Sequence, residues 1–249
     1  MPSSRVVQRL LLPLLAWLAA AAAAAAAPPS ATEIVAAADR SRNGWDSFAV
    51  EVTITNHDGE RVESTDRYEV LIKGADRSLI RFLAPRDKGK QLLMLEEQMW
   101  FYLPTASRPI RVTPLQRLSG NASNGDVAQS SFAANYDAAL EGEEVVAGRR
   151  AWVLLLTAKR KSAAYRTVRY WVAQDTLLPL QAEFRMGSGK VSKRAVYERY
   201  ETTGGRRLLR RLVIFDELRK GKQSVLEFSG YEARELPEKL FNRNSLGQL

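Results

Sequence analysis

Few residues of this 249-residue chain are able to do covalent or metal chemistry: it has no cysteine and one histidine, His57. Disulfides, thiolate nucleophiles and cysteine-held zinc or iron–sulfur centres are therefore excluded. A histidine-dependent triad has only His57 to draw on, and a histidine in Asn56-His57-Asp58-Gly59 reads as a solvated residue beside an Asp-Gly turn. Paired carboxylates remain as a catalytic option, as in glycoside hydrolysis. Glu96-Glu97 and Glu143-Glu144 read instead as turn and rim charge. Gly187-Ser188-Gly189-Lys190 imitates a phosphate loop, but Phe184 stands where the first glycine belongs and Val191 where a Ser or Thr is needed. It reads as a hairpin turn. No catalytic residue, metal ligand or cofactor is expected.

Binding chemistry is better represented. Lys88–Thr113, KGKQLLMLEEQMWFYLPTASRPIRVT, reads as three strands: Gln91–Leu95, Met99–Leu103 and Pro109–Val112. On the second, Met99, Phe101 and Leu103 share one face, while Trp100 and Tyr102 share the other. A strand apolar on both sides needs two covers, either protein on both faces or a cavity for an apolar guest on one. Phe82, Leu93, Trp100, Tyr102, Trp152, Trp171, Phe184 and Met186 are the candidate cavity residues. Ordinary core packing explains any one of them, but together they are too many large groups for one core face. The Trp100/Tyr102 face is expected to point into the concavity, with Trp171 joining from a later strand, because amphipathic rings suit a mouth where chain meets headgroup. Met99 and Phe101 are then expected on the convex side or against loops.

The elements that must position these groups are mostly strands. Ala31–Arg42 reads as a helix capped by Ser30 or Thr32, with Ile34, Val35 and Ala38 on one stripe. From Asp46 the period becomes two: Val50, Val52 and Ile54 alternate with Glu51, Thr53 and Thr55, and Tyr68, Val70 and Ile72 share a face of Arg61–Lys73. Ser78–Ala84 follows, then the opening triplet. Leu115–Leu118 is expected to make a helical turn, Ser119–Gly125 a loop, and Asp126–Tyr136 a second short helix. Strands resume at about Ala139–Val146, Ala151–Ala158, Thr167–Ala173, Pro179–Met186, Val191–Tyr200, Leu208–Glu217 and Ser224–Ala233, and Leu236–Phe241 closes on the core.

The first 27 residues read as an address. Arg5 and Arg9 precede an apolar run from Leu10 to Ala27 that ends in alanines before Pro28-Pro29. This is the pattern of a signal peptide cleaved near Ala27, which places the mature chain, residues 28–249, in the periplasm as one domain. The rival reading is an uncleaved anchor, since the run is long enough to span a bilayer. Cleavage removes Arg5 and Arg9 and leaves a charge of about +7. For an exported protein this favours anionic headgroups or an acidic partner over nucleic acid. Arg206, Arg207, Arg210 and Arg211 are the candidate contacts.

The ordered combination of KGKQLLMLEEQMWFYLPTASRPIRV, YRTVRYWVAQDTLLPLQAEF, MGSGKVSKRAVYERY and LPEKLFNRNSLGQL resembles the outer-membrane lipoprotein-sorting proteins of bacteria, the LolA-like family, from about Thr32 to Leu246. That resemblance implies a mainly β fold, an incomplete antiparallel β-barrel of about eleven strands, whose concave face is covered by helices and loops. It implies a monomeric carrier of lipid or lipoprotein acyl chains, loaded by an inner-membrane transporter and unloaded to an outer-membrane acceptor, with transient membrane contact. The same fold also implies an alternative, a sensor that docks an acidic partner through Arg206–Arg211. One stretch departs from the family. After Gly125-Asp126 it usually carries aromatic, acidic and small residues, where this chain has VAQSSFAANY.

Overall fold

Residue alternation drives most of the architecture in the computed structural model, which describes residues 28–129 and 131–248. The expected signal peptide, its cleavage point and the rival anchor lie outside the described residues. The chain enters through helix α1 (Ala31–Asp39), whose first turn is closed by a capping box. The Ser30 backbone donates to Glu33 Oε2 at 2.8 Å, and the Glu33 backbone donates to Ser30 Oγ at 3.3 Å. Ile34, Val35 and Ala38 bury its apolar stripe.

Strands β1 (Ser47–Asp58), β2 (Arg61–Lys73), β3 (Arg77–Phe82), β4 (Gln91–Leu95), β5 (Gln98–Tyr102) and β6 (Ile110–Val112) follow as hairpins. A short pair, β7 (Arg117–Ser119) and β8 (Ala122–Ser123), leads to helices α2 (Asn124–Ala128) and α3 (Phe132–Asn135). Seven more strands complete the sheet: β9 (Tyr136–Val146), β10 (Arg149–Ala158), β11 (Thr167–Ala173), β12 (Pro179–Arg185), β13 (Val191–Thr203), β14 (Arg206–Asp216) and β15 (Lys222–Ala233). The order is β6-β5-β4-β3-β2-β1-β15-β14-β13-β12-β11-β10-β9, antiparallel throughout, and β6 and β9 do not meet. The fold is mainly β, an open sheet rather than a closed barrel. Register Asp58↔Lys222 to Phe48↔Ala233 joins the first strand to the last, so the two halves of the chain form one sheet.

Three expectations need correction. The eleven strands implied by the resemblance become fifteen among the described residues, thirteen in the sheet and two in the β7–β8 pair. Leu115–Leu118 is not a helical turn. Its backbone is drawn into a return pairing, with Gly125 N donating to Pro114 O and Asn124 N to Gln116 O, both at 2.8 Å. Asp126–Tyr136 is not one helix either, because each of two short helices has its own cap. Ser123 N donates to Asp126 Oδ2 at 2.9 Å, and Ala134 N donates to Ser131 Oγ at 3.2 Å.

Each face of the sheet has a cover. On the inner face, α1, β7–β8, α2 and α3 seat Val35, Ala122, Val127, Ala128 and Phe132 against Val50, Val52, Leu154, Tyr170 and Leu226. On the outer face, two 3₁₀ turns at Glu238–Phe241 and Arg243–Ser245 bring Leu236, Leu240, Phe241 and Leu246 onto Leu71, Leu79 and Leu93. Gly247 N donates to Gln91 Oε1 at 2.9 Å, and its φ of +81° brings the backbone against Tyr102 where a Cβ would sit 2.2 Å from the ring.

Candidate lipid-binding face

The inner face divides into an open half and a sealed half. On β2–β6, inward positions Tyr68, Phe82, Phe101 and Val112 form with Leu118 the apolar floor of a cleft of about 490 Å³. Two edge-on aromatic pairs stiffen that floor: Tyr68 to Phe82 at 5.0 Å between ring centroids, and Phe82 to Phe101 at 5.6 Å. Its rim is polar, made by Asp66, Asp87, Lys90 and Arg117. Lys90 Nζ lies 2.6 Å from Asp87 Oδ1, and Arg86 pairs with Asp66. Size and lining suit a small apolar ligand with a polar end.

The sealed half lies under α2 and α3. Phe132 stacks edge-on against Tyr136 at 5.5 Å and Tyr170 at 5.1 Å, and Tyr165 lies 4.4 Å from Phe184. What remains between Arg42, Asp126, Phe132, Tyr165, Tyr197 and Leu212 is a cavity of about 20 Å³, room for about one water and no acyl chain. An apolar guest enters this half only if the lid moves.

Polar anchors hold the lid in three places. Asn56, buried on β1, donates to Ser119 Oγ at 2.7 Å and accepts from Ser224 Oγ at 2.6 Å, while Ser224 Oγ accepts from Asn121 N at 2.8 Å. Gly120, with φ +52°, sits so close that a Cβ would fall 1.7 Å from Asn56 Oδ1. The second anchor is Asp39 at the end of α1. Its carboxylate accepts from Ser131 Oγ at 2.9 Å, Phe132 N at 3.1 Å and Ala133 N at 2.8 Å. Burial pushes the Asp39 carboxyl up to about 6, against the opposing pull of those three donors. The third is Asp126 on α2, which accepts from Tyr165 Oη at 2.8 Å and pairs with Lys193 Nζ at 3.1 Å. Arg42 Nη2 donates to its carbonyl at 2.8 Å. Burial raises the Tyr165 hydroxyl well above the ordinary tyrosine range, so it stays a donor. Among the described residues no group of three or more His, Asp or Glu gathers as for a metal ion, and His57 lies across from Val62 and Gln223 near the end of β1.

The candidate residues scatter over both faces. Phe82 lies in the open cleft, Phe184 beneath the lid, and Trp152 packs against the main inner cluster. Leu93, Trp100 and Tyr102 are on the outer face, packed with Leu236, Leu240 and Phe241. The face assignment on β5 is thus reversed: Met99 and Phe101 point inward. The reason is the returning C-terminal segment, which covers the Trp100/Tyr102 side and leaves the other to the lid. Trp171 is also outside, in a cluster with Ala151, Val153 and Leu180, where its Nε1 donates to Glu144 Oε2 at 2.8 Å. Met186 is exposed at a hairpin tip.

The four arginines do not form a free basic patch. Arg210 Nε reaches Glu201 at 3.0 Å and Arg211 Nε reaches Glu198 at 2.7 Å, while Arg206, which stacks 5.7 Å over Trp45, and Arg207 are both exposed. Sequence reasoning passed over Tyr68, Phe101, Val112 and Leu118 as cleft residues. The period-two alignment of Tyr68 with Val70 and Ile72 carried the signal for the first. Nothing in the sequence singles out Asp39 or Lys193 as lid anchors, since their partners are distant in the chain.

Comparison with known proteins follows the same lines. A family model described as "Uncharacterized protein" matches residues 74–248. No curated protein sequence matches the chain. Among solved structures, a LolA superfamily protein, NE2245 from Nitrosomonas europaea, is 34% identical, with a TM-score of 0.82 over 88% of this chain and 100% of that one. A DUF1329 family protein from Desulfovibrio piger is 24% identical, with a TM-score of 0.74 over 87% of this chain and 97% of that one. A putative outer membrane lipoprotein-sorting protein domain from Vibrio parahaemolyticus is 21% identical, with a TM-score of 0.73 over 87% and 98%. These two share the fold. With its open sheet, its inner-face lid and its 34% identity to NE2245, this chain belongs to the LolA superfamily.

Proposed function

We propose that the protein is a periplasmic, single-domain carrier that holds the acyl chains of a lipid or lipoprotein in the inner-face cleft and moves them from the inner towards the outer membrane. The observation that supports this reading is the cleft itself. Five apolar side chains line a space of about 490 Å³ together with Asp66, Asp87, Lys90, Gln116, Arg117 and Asn124, an apolar surface beside a polar one. Each methylene taken out of water contributes about 0.8 kcal/mol, so a partly inserted chain is held tightly enough to travel and loosely enough to leave. No covalent step is needed, and no residue is assigned a catalytic role. The lid anchors give the carrier a closed resting state, and displacing Phe132 from Tyr136 and Tyr170 extends the open cleft into the sealed half.

The test is titration with a fluorescent fatty-acid probe, together with solvent extraction and mass spectrometry of the protein as purified. The expected result is saturable probe binding, lost in Phe101→Asp and retained in Trp100→Phe. A protein that yields no lipid and binds no probe sinks the reading.

A further inference from the structure

The hairpin links at one end of the sheet carry a large excess of positive charge. Because every neighbouring pair is antiparallel, the eleven hairpin links sort strictly by end. At one end lie residues 59–60, 83–90, 103–109, 159–166, 186–190 and 217–221, and at the other 74–76, 96–97, 147–148, 174–178 and 204–205. The first set holds eleven Lys or Arg against three Asp or Glu; the second holds four Asp or Glu, balanced by Lys73, Arg77, Arg149 and Arg206 at the strand ends that flank it. Exposed Lys88, Arg108, Lys161, Arg166, Lys190 and Lys220 have no carboxylate within ion-pair distance among the described residues. A solvated surface that served only solubility has no reason to segregate by end.

Apolar side chains stand out on the links of the same end, whereas the exposed Val145 of the other end lies on a strand. Met186 and Leu218 are 39% and 49% exposed on the β12–β13 and β14–β15 links, and Leu83 is 41% exposed on the β3–β4 link. Beside Leu218 lies a cleft of about 580 Å³, lined by Phe215, Leu218, Asp216, Glu217 and Lys220, with Arg194 paired to Glu217 and Lys222 paired to Asp58 and Glu63. Cations around protruding apolar tips fit one surface in particular, where phosphates lie just above hydrocarbon.

We infer that the basic end of the sheet, tipped by Met186 and Leu218 and charged by Lys190 and Lys220, docks on the anionic headgroup surface of a phospholipid bilayer. The opposite end, where acidic and basic residues balance, then faces away. The open cleft has Asp87 and Lys90 of the β3–β4 link on its rim, so docking brings its mouth towards the membrane. The docking surface is independent of what the cleft carries, since none of Met186, Leu218, Lys190 and Lys220 lines the cleft.

The absence of cysteine makes the experiment clean. Met186→Cys, Leu218→Cys and, at the opposite end, Val145→Cys each accept one environment-sensitive dye, and all three positions are exposed. The labelled proteins are mixed with vesicles of equal phosphatidylglycerol and phosphatidylcholine, or of phosphatidylcholine alone, and flotation is measured on the unlabelled protein. Expected are co-flotation with the anionic vesicles, a blue shift of dye at 186 and 218 but not at 145, and loss of binding at high salt. Lys190→Glu/Lys220→Glu should weaken partition by more than about tenfold, whereas Arg207→Glu should leave it within about twofold. Equal partition to both vesicle types overturns the inference, as does a blue shift at 145 or an equal loss from Arg207→Glu, which would report net charge rather than an end. Failure to float with retained fatty-acid binding overturns docking alone, and the reverse result overturns the carrier reading alone.

Discussion

The open and sealed halves of the inner face are built from the same kind of residue and behave differently. Tyr68, Phe82 and Phe101 on one side match Tyr136, Tyr170 and Phe184 on the other in size and chemistry. What separates a cleft of about 490 Å³ from a cavity of about 20 Å³ is where the intervening segment is tied down. Asp39 and Asp126 hold α2 and α3 over the β9–β14 side, Asn56 ties Ser119 to β1, and β6 ends the sheet as a three-residue edge strand. Aromatic content supplies a surface that can bind lipid. Buried polar anchors decide which part of it is available.

The strongest way to break that comparison is to place a charge on each side. Leu154, fully buried beneath the lid, has no route to water, so Leu154→Asp should cost more than about 4 kcal/mol and leave no cooperative unfolding transition by far-UV circular dichroism. Gly120→Ala comes next. Its Cβ meets Asn56 and its φ is left-handed, so a loss of about 2–4 kcal/mol in urea denaturation is expected, along with faster amide exchange in residues 119–135. A loss under about 0.5 kcal/mol would show that the Asn56 anchor does not hold the lid.

Asp39 sharpens the comparison through pH. Its carboxyl is raised from the ordinary 3.8 to about 6, so the folded state binds the proton more tightly than the unfolded state. The stabilisation from this protonation is complete below about pH 4. It is lost as pH rises through 6, by up to about 3 kcal/mol. Asp39→Asn removes the titration, and the stability difference between wild type and variant should shrink steadily between pH 4 and 7. A flat or rising difference would mean that the three donors keep Asp39 ionised throughout. Phe101→Asp should have the smallest effect on the fold, about 1–2 kcal/mol, because the new carboxylate opens onto a solvated cleft and the main loss is the ring contact with Phe82. A melting curve that collapses as for Leu154→Asp would place Phe101 in core rather than in a binding floor.

Two strands were legible in the sequence down to single residues. Arg61–Lys73 and Thr167–Ala173 have the expected bounds, because side chains of period two need only local information. Leu236–Phe241 closes on the core as its apolar residues implied, through a 3₁₀ turn. The lid was not. Residues 114–135 take their form from Asp39, Asn56, Ser224 and Lys193, all remote in sequence, so propensity alone read a helical turn and one helix where there are two strands and two helices.

On strand β5, composition alone established that both faces must be covered, since Met99, Trp100, Phe101 and Tyr102 are all large and apolar. It could not say which cover falls on which face. That was decided by the C-terminal segment crossing the outer side of β3–β5, where Gly247 admits the Tyr102 ring and Leu240 and Phe241 meet Leu93. The charge difference between the sheet ends has the same origin. Lys190, Lys220 and Arg108 are far apart in sequence, and antiparallel pairing sets them at one end. Alternation is a property of neighbours along the chain, while cover, enclosure and charge placement arise only when distant segments meet.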